Sequence, residues 1–288
     1  MSNPSVEKMP FGDRLATAIS ERGSLCVGID PHAQLLEQWG LPDNAEGLRA
    51  FTEAVVEGCG DHVAAFKPQV AFFERHGAAG FQVLEELFTE ARVRNILIIA
   101  DAKRGDIGST MKAYADSWLG SSPLATDSVT LSPYLGFESL RPALDAADKH
   151  QRGTFVLALT SNPEGRSVQH IGGTASVARS IIEQAHAENE RSSWYHMGSC
   201  GLVVGATVGQ ALVDLEIDLS SFNGPILAPG YGAQGATAAD LYSVFSGIEK
   251  QVLVNSSRGV LAHGPNTDSL REAAEASRED LLTVLNAA

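Results

Sequence analysis

The chain has 288 residues, 44% of them hydrophobic and 19% charged, with a formal net charge of −14 at pH 7. That length suits one closed α/β barrel, a fold that reaches this size as a single domain. The acidic balance excludes a broad nucleic-acid or anionic-membrane surface, which needs a basic footprint, but leaves room for a small anion held by a local Lys/Arg cluster.

From the N-terminus, Met1-Ser2-Asn3-Pro4-Ser5-Val6-Glu7-Lys8 lacks the basic and apolar regions of a secretory signal, so a cytoplasmic location is expected. No apolar run approaches the roughly 18 residues of a membrane span. Cys26, Cys59 and Cys200 are odd in number, widely spaced and without a CxxC pair, which indicates neither a disulfide framework nor a zinc site.

Phe11-Gly12-Asp13-Arg14-Leu15-Ala16-Thr17-Ala18-Ile19 reads as an N-terminal helix, about residues 11–22, placed to plug a barrel. Eight short apolar or β-branched runs follow, over 25–30, 64–69, 96–101, 128–131, 154–160, 201–207, 225–229 and 252–256. Helical spacing occupies 47–58, 78–92, 110–119, 137–150, 177–189 and 237–245 between them. This alternation is the βα pattern of a parallel sheet. Continuous apolar strands such as Ile96-Leu97-Ile98-Ile99 imply burial on both faces. Eight units favour a closed (β/α)₈ TIM barrel in a single domain, residues 1–288, over an open doubly wound sheet. An insertion near 187–200, around Trp194, fits either a surface elaboration or a lid.

Polar residues gather where these strands end: Asp30, Lys67, Asp101, Ser161, Thr207, Gly230 and Arg258. In a barrel the active site is built at that face. Most informative is Asp101-Ala102-Lys103-Arg104-Gly105-Asp106-Ile107, directly behind Ile96-Leu97-Ile98-Ile99-Ala100. Residues i and i+2 of a strand share a face, so Asp101 and Lys103 lie side by side, and Asp106 falls in the next loop. Burying unpaired charge costs several kcal/mol, on the order of 3–5 when one partner is lost. Taken singly, a strand-end Asp or Lys is more often a solvated loop residue. Asp30 in Gly28-Ile29-Asp30-Pro31-His32, Lys67 in Phe66-Lys67-Pro68-Gln69 and the Asp101/Lys103 pair together reverse that balance, because alternating charges stabilise one another's ionised forms.

After the seventh and eighth strands, Gly230-Tyr231-Gly232-Ala233-Gln234-Gly235 and Asn255-Ser256-Ser257-Arg258-Gly259 suit a phosphate, with backbone N–H groups and a bidentate guanidinium. Ser161-Asn162 offers groups for a polar ring edge, although a capped turn explains it equally well. No HExxH, catalytic triad, GxGxxG or GxxxxGK[ST] pattern is present, and His32, His62, His76 and His170 read as surface or structural residues.

On these motifs the chain resembles the orotidine 5′-phosphate decarboxylase family, in its bacterial type 2 branch. Asp101, Lys103 and Asp106 match that branch's Asp-x-Lys-x-x-Asp-Ile run, Lys67 its strand-two lysine and Asp30 its strand-one aspartate. Gln234 and Arg258 look like its phosphate grip and Ser161 like its pyrimidine-contacting serine. The resemblance implies conversion of orotidine 5′-phosphate to UMP and CO2 in pyrimidine biosynthesis, with no metal and no organic cofactor. It implies Lys103 as proton donor beside C6, Asp101 near the substrate carboxylate, Lys67 positioning Asp101, and Asp30 on a ribose hydroxyl. It also implies a homodimer in which Asp106, Ile107 and Thr110 reach the partner's site. One departure is Ser257, where better-known branches carry glycine before the arginine.

Two rivals follow from the same residues. A magnesium-dependent sugar-phosphate aldolase or decarboxylase of this barrel superfamily shares the Asp-x-Lys-x-x-Asp run but carries an acidic metal ligand where Lys67 stands, and an ammonium is no magnesium ligand. A noncatalytic nucleotide-binding barrel would have no use for the intact charge set.

Overall fold

The apolar runs become strands because both of their faces are covered. A computed structural model describes residues 9–232 and 235–285. Its strands are β1 Leu25–Ile29, β2 Ala65–Pro68, β3 Leu97–Arg104, β4 Ser128–Leu131, β5 Gly153–Leu159, β6 Cys200–Val204, β7 Ile226–Pro229 and β8 Val252–Ser256. They pair in chain order and in parallel, and β8 closes onto β1 through Cys26↔Asn255 and Val27↔Ser256. The molecule is therefore a (β/α)₈ barrel.

Side-chain alternation separates two cores. Cys26, Ala65, Leu97, Ile99, Phe155, Val203, Leu227 and Leu253 fill the barrel interior. Val27, Phe66, Ile98, Val156, Leu202 and Val254 point the other way, into the mantle of helices. Helix Phe11–Arg22 seals the interior from below: Phe11, Leu15 and Ile19 belong to the interior cluster, and the Phe11 ring meets Phe155 edge-on at 6.0 Å. A side chain at Gly153 would overlap that ring, so glycine there makes space for the plug. Fully burying a Phe is worth roughly 1.5–3 kcal/mol.

The segment around Trp194 lies at this lower end, away from the strand C-termini. The buried Asp13 carboxylate accepts from the Tyr195 and His196 backbone N–H groups at 3.0 and 2.6 Å. Asn189 bonds Cys200 through both amide atoms, each at 2.9 Å. Asp13 of the plug helix and Asn189 thus hold this segment at the end opposite the strand C-termini.

Helix Thr267–Leu285 has no counterpart in the sequence reading. Its buried residues are Leu270, Ala274, Leu281 and Leu285, a stripe too sparse in large side chains to show a clear 3.6-residue period. The single helix anticipated over 137–150 is a 3₁₀ turn, Phe137–Leu140, leading into helix Arg141–Lys149 with Pro142 in its first turn. Among the described residues no helix is long and apolar enough to cross a membrane.

Candidate active site

At the strand C-termini the interior opens into a cavity of about 430 Å³. Its floor is set by β3. Asp101 continues the inward set begun by Leu97 and Ile99, so its carboxylate enters the cavity while Ala102 packs outward. Both carboxylate oxygens are engaged twice. Oδ2 accepts from Lys67 Nζ at 3.0 Å and Gln69 Nε2 at 2.9 Å. Oδ1 accepts from Lys103 Nζ at 2.6 Å and Thr130 Oγ1 at 2.9 Å.

Lys103 reaches that oxygen from an unusual backbone. Its φ is +46°, in the left-handed region, within the irregularity that breaks β3–β4 pairing between Ala100 and Arg104. Thr130 secures it, because the hydroxyl that donates to Asp101 also accepts the Lys103 backbone N–H at 2.9 Å. Behind the strand, the Arg104 guanidinium pairs with Glu74 and lies over the Tyr114 and Trp118 rings at 5.5 and 5.6 Å. The strand end is thus pinned from both sides.

Burial differs sharply among the three charges. Asp101 and Lys67 have side chains 9% and 6% exposed, whereas Lys103 is 47% exposed at the cavity mouth. Burial alone would push the Asp101 carboxyl up, but the Lys67 and Lys103 charges and hydrogen bonds outweigh it and hold the group well below the usual carboxylate range. Lys67 is the mirror case: burial works against its charge, and Asp101 and then Asp30 overcome it, so its pKa rises above the ordinary lysine value. Deeper in the lumen, burial pushes the Cys26 thiol up to about 12, which keeps it a neutral core residue.

The far wall comes from β1, β7 and β8. Asp30, Asn255, Ser257 and Arg258 line the cavity there. Arg258 is exposed and makes no ion pair among the described residues. After β7, Gly230 and Gly232 adopt φ of +115° and +71°, a turn closed by the Gly232 N–H on the Ala236 carbonyl at 2.9 Å. The Tyr231 hydroxyl in this loop donates to Asp280 on the C-terminal helix.

The structure brings together Asp30, Lys67, Asp101, Lys103 and Arg258 around one cavity. It does not bring the others there. Asp106 caps its own loop, accepting the Ile107 N–H at 2.7 Å, and Ile107 and Thr110 are exposed outside the cavity. Ser161 is exposed at the rim, and its neighbours Thr160 and Asn162 line the wall instead. Gln234 lies outside the described residues. The sequence reading assigned no side-chain role to Gln69, Thr130, Asn255 or Ser257, although it placed the last two in the backbone of a phosphate segment. Gln69 and Ser257 stand two residues from Lys67 and Asn255, the strand period that would have marked them. Thr130 carried no signal of its own, because a Thr in an apolar strand is ordinary. His32 also lines the wall, with Nδ1 accepting the Leu35 N–H at 3.2 Å as a helix cap.

Chemically, the site offers a fixed anion, one buried and one accessible ammonium, and across the cavity a guanidinium with no ion pair among the described residues. Among the described residues no three His, Cys, Asp or Glu side chains converge as a metal centre would require.

Comparison with known proteins adds to this geometry. A family model described as "Orotidine 5′-phosphate decarboxylase / HUMPS family" matches residues 23–273. An orotidine 5′-phosphate decarboxylase of Streptomyces coelicolor is 52% identical over 285 residues, covering 96% of this chain and 99% of the relative. One from Corynebacterium glutamicum is 47% identical over 276 residues, covering 94% and 98%. Among solved structures, a Streptomyces avermitilis protein described as an orotidine 5′-phosphate decarboxylase superposes with a TM-score of 0.90 at 50% identity, over the whole of both chains.

Proposed function

The chain belongs to the orotidine 5′-phosphate decarboxylase / HUMPS family, and from that premise we propose that it is a carboxy-lyase converting orotidine 5′-phosphate to UMP and CO2. The observation that carries this reading is the Lys103 ammonium, held 2.6 Å from Asp101 yet open to the cavity. In the proposed reaction the bond between C6 and the carboxylate breaks and CO2 leaves with no charge. The electron pair stays on C6, in the ring plane, where resonance gives little relief. A preorganised cation is then the strongest available stabilisation. Lys103 supplies it and passes its proton to C6, a step worth typically 10²–10⁴-fold for a positioned acid. Solvent at the cavity mouth returns the proton.

Asp101 holds and aims the Lys103 ammonium, and Lys67 and Gln69 keep Asp101 in place. No metal or organic cofactor enters this scheme. The donor set supports that, since each Asp101 oxygen already accepts two hydrogen bonds and one contact on each is an ammonium. Arg258, with Gln234, takes the 5′-phosphate, Asp30 a ribose hydroxyl, and Ser161 the pyrimidine edge. Binding energy from the phosphate end is used to organise the reacting end.

Asp106, Ile107 and Thr110 act in the second site of a homodimer. What supports this is their position: they follow the catalytic strand directly, none lines its own cavity, and Ile107 is 62% exposed. To test the function, the purified chain is incubated with orotidine 5′-phosphate, with and without EDTA, and the fall in ultraviolet absorbance is followed. Equal turnover in both is expected. No turnover by the folded chain would overturn the assignment, and turnover abolished by EDTA and restored by magnesium would overturn the metal-free scheme.

A further inference from the structure

Two buried acceptors, one just past β1 and one in the adjoining β8, have no donor among the described residues: Oδ1 of Asp30 and Oδ1 of Asn255. Asn255 is only 9% exposed, and it lines the cavity. Groups of this kind are normally paired, because an unmatched buried acceptor is costly. The β1–β8 register pairs Cys26 with Asn255 and Val27 with Ser256, so the next step along sets Gly28 beside Ser257. A Cβ built on Gly28 would fall 1.9 Å from Ser257 Oγ and 3.3 Å from Asp30 Oδ1. The Ser257 hydroxyl therefore fills the space a side chain at 28 would take. Asn255 Nδ2 donates to it at 3.3 Å, leaving the hydroxyl proton free to donate in turn. Asp30, Ser257 and Asn255 form one continuous polar wall.

The chemistry of that wall selects its ligand. Two acceptors need two donors. A phosphate dianion and a carboxylate have none at neutral pH, and an orotate ring has a single N–H. A vicinal diol has two O–H groups. Position agrees, since Arg258 marks the anion end beside this wall and the Asp101/Lys103 pair marks the reacting end on β3, so the sugar spans the space between. We propose that Asn255 and Ser257, seated over Gly28, bind the ribose hydroxyls next to Asp30 and make the site selective for a ribonucleotide. This rests on the decarboxylase reading for the identity of the nucleotide.

The test compares dissociation constants of UMP, 2′-deoxyUMP and 3′-deoxyUMP, by titration calorimetry, for the full chain, Asn255→Ser and Ser257→Ala. Thermal unfolding checks folding, and Ser257→Ala removes a single oxygen, so a failure of the Asn255 variant to fold leaves the test intact. The unaltered chain is expected to prefer UMP over at least one deoxy analogue. Each folded variant is expected to lose about five- to tenfold of that preference, the worth of one hydrogen bond. An unaltered chain without the preference, or folded variants that keep it in full, overturns the contact. Turnover of orotidine 5′-phosphate separates the two readings. Turnover with unchanged selectivity in the variants sinks only this contact, and absent turnover with the expected loss of selectivity sinks only the decarboxylase.

Discussion

Lys103 holds a backbone conformation that only glycine adopts freely, at φ +46°. The left-handed region costs an L-residue roughly 1–2 kcal/mol, and such strain is found where a side chain must be aimed. Thr130 and Asp101 supply the compensation, the one bonding the Lys103 N–H and the other its ammonium. Lys103→Gly should therefore unfold about 1 kcal/mol later than Lys103→Ala in urea, while both lose at least about 10³-fold in turnover. Equal stability of the two variants would show that the backbone is unstrained.

Asp101 and Lys67 make the opposite trade, since their charges are buried and matched. Asp101 titrates below its unfolded value of about 3.9, so its contribution is complete above that pH and is lost as pH falls toward the folded value. Lys67 titrates above its unfolded value of about 10.4, so its contribution is complete below that pH and is lost as pH rises through the folded value. Between about pH 5 and 9 the pair adds no pH dependence. Asp101→Asn leaves Lys67 buried without its hydrogen-bonded counter-charge, with only Asp30 beside it, and is expected to cost about 3–5 kcal/mol at pH 7. It should also flatten the acid limb of the urea midpoint plotted against pH. An acid limb as steep as before would mean that other carboxylates govern it.

At the scale of elements, β3 shows what the sequence made legible and what it did not. The run Ile96-Leu97-Ile98-Ile99 followed by Asp101 and Lys103 announced a buried strand ending in charge, because strand period and apolar content both act locally. The bulge that turns Lys103 left-handed was not legible, since it depends on Thr130 of the neighbouring strand. The same holds for Gly28, whose bareness has meaning only opposite Ser257. A serine before Arg258 looked like a departure when read along the chain, and across the sheet it is the complement of that glycine. Helix Thr267–Leu285 was missed for a different reason: only Leu270, Ala274, Leu281 and Leu285 are buried along its 19 residues, too few to mark a 3.6-residue period. The Trp194 segment was ambiguous because its anchor, Asp13, lies 182 residues away from Tyr195.

Across the whole molecule the barrel divides its labour by end. The lower end is closed by helix Phe11–Arg22 and the segment it holds, and the upper end keeps its charges in an open cavity. Asp106, Ile107 and Thr110 extend the upper end beyond its own cavity, and in the proposed homodimer two chains complete one site. Mixing tests that directly. Lys103→Ala and Asp106→Ala, each inactive alone, should regain about a quarter of full activity when equilibrated as equal mixtures, because half the dimers then carry one intact site of two. No recovery in mixtures that demonstrably exchange subunits would return Asp106 to its own chain.

The central claim is that Lys103, aimed by Asp101, protonates the ring carbon that CO2 leaves. The most direct measurement is release of labelled CO2 from carboxyl-labelled orotidine 5′-phosphate, alongside UMP formation, for the unaltered chain and Lys103→Ala. The account predicts equimolar CO2 and UMP from the unaltered chain and almost none from the variant, with both proteins folded and binding UMP. Near-normal CO2 release by Lys103→Ala would contradict it.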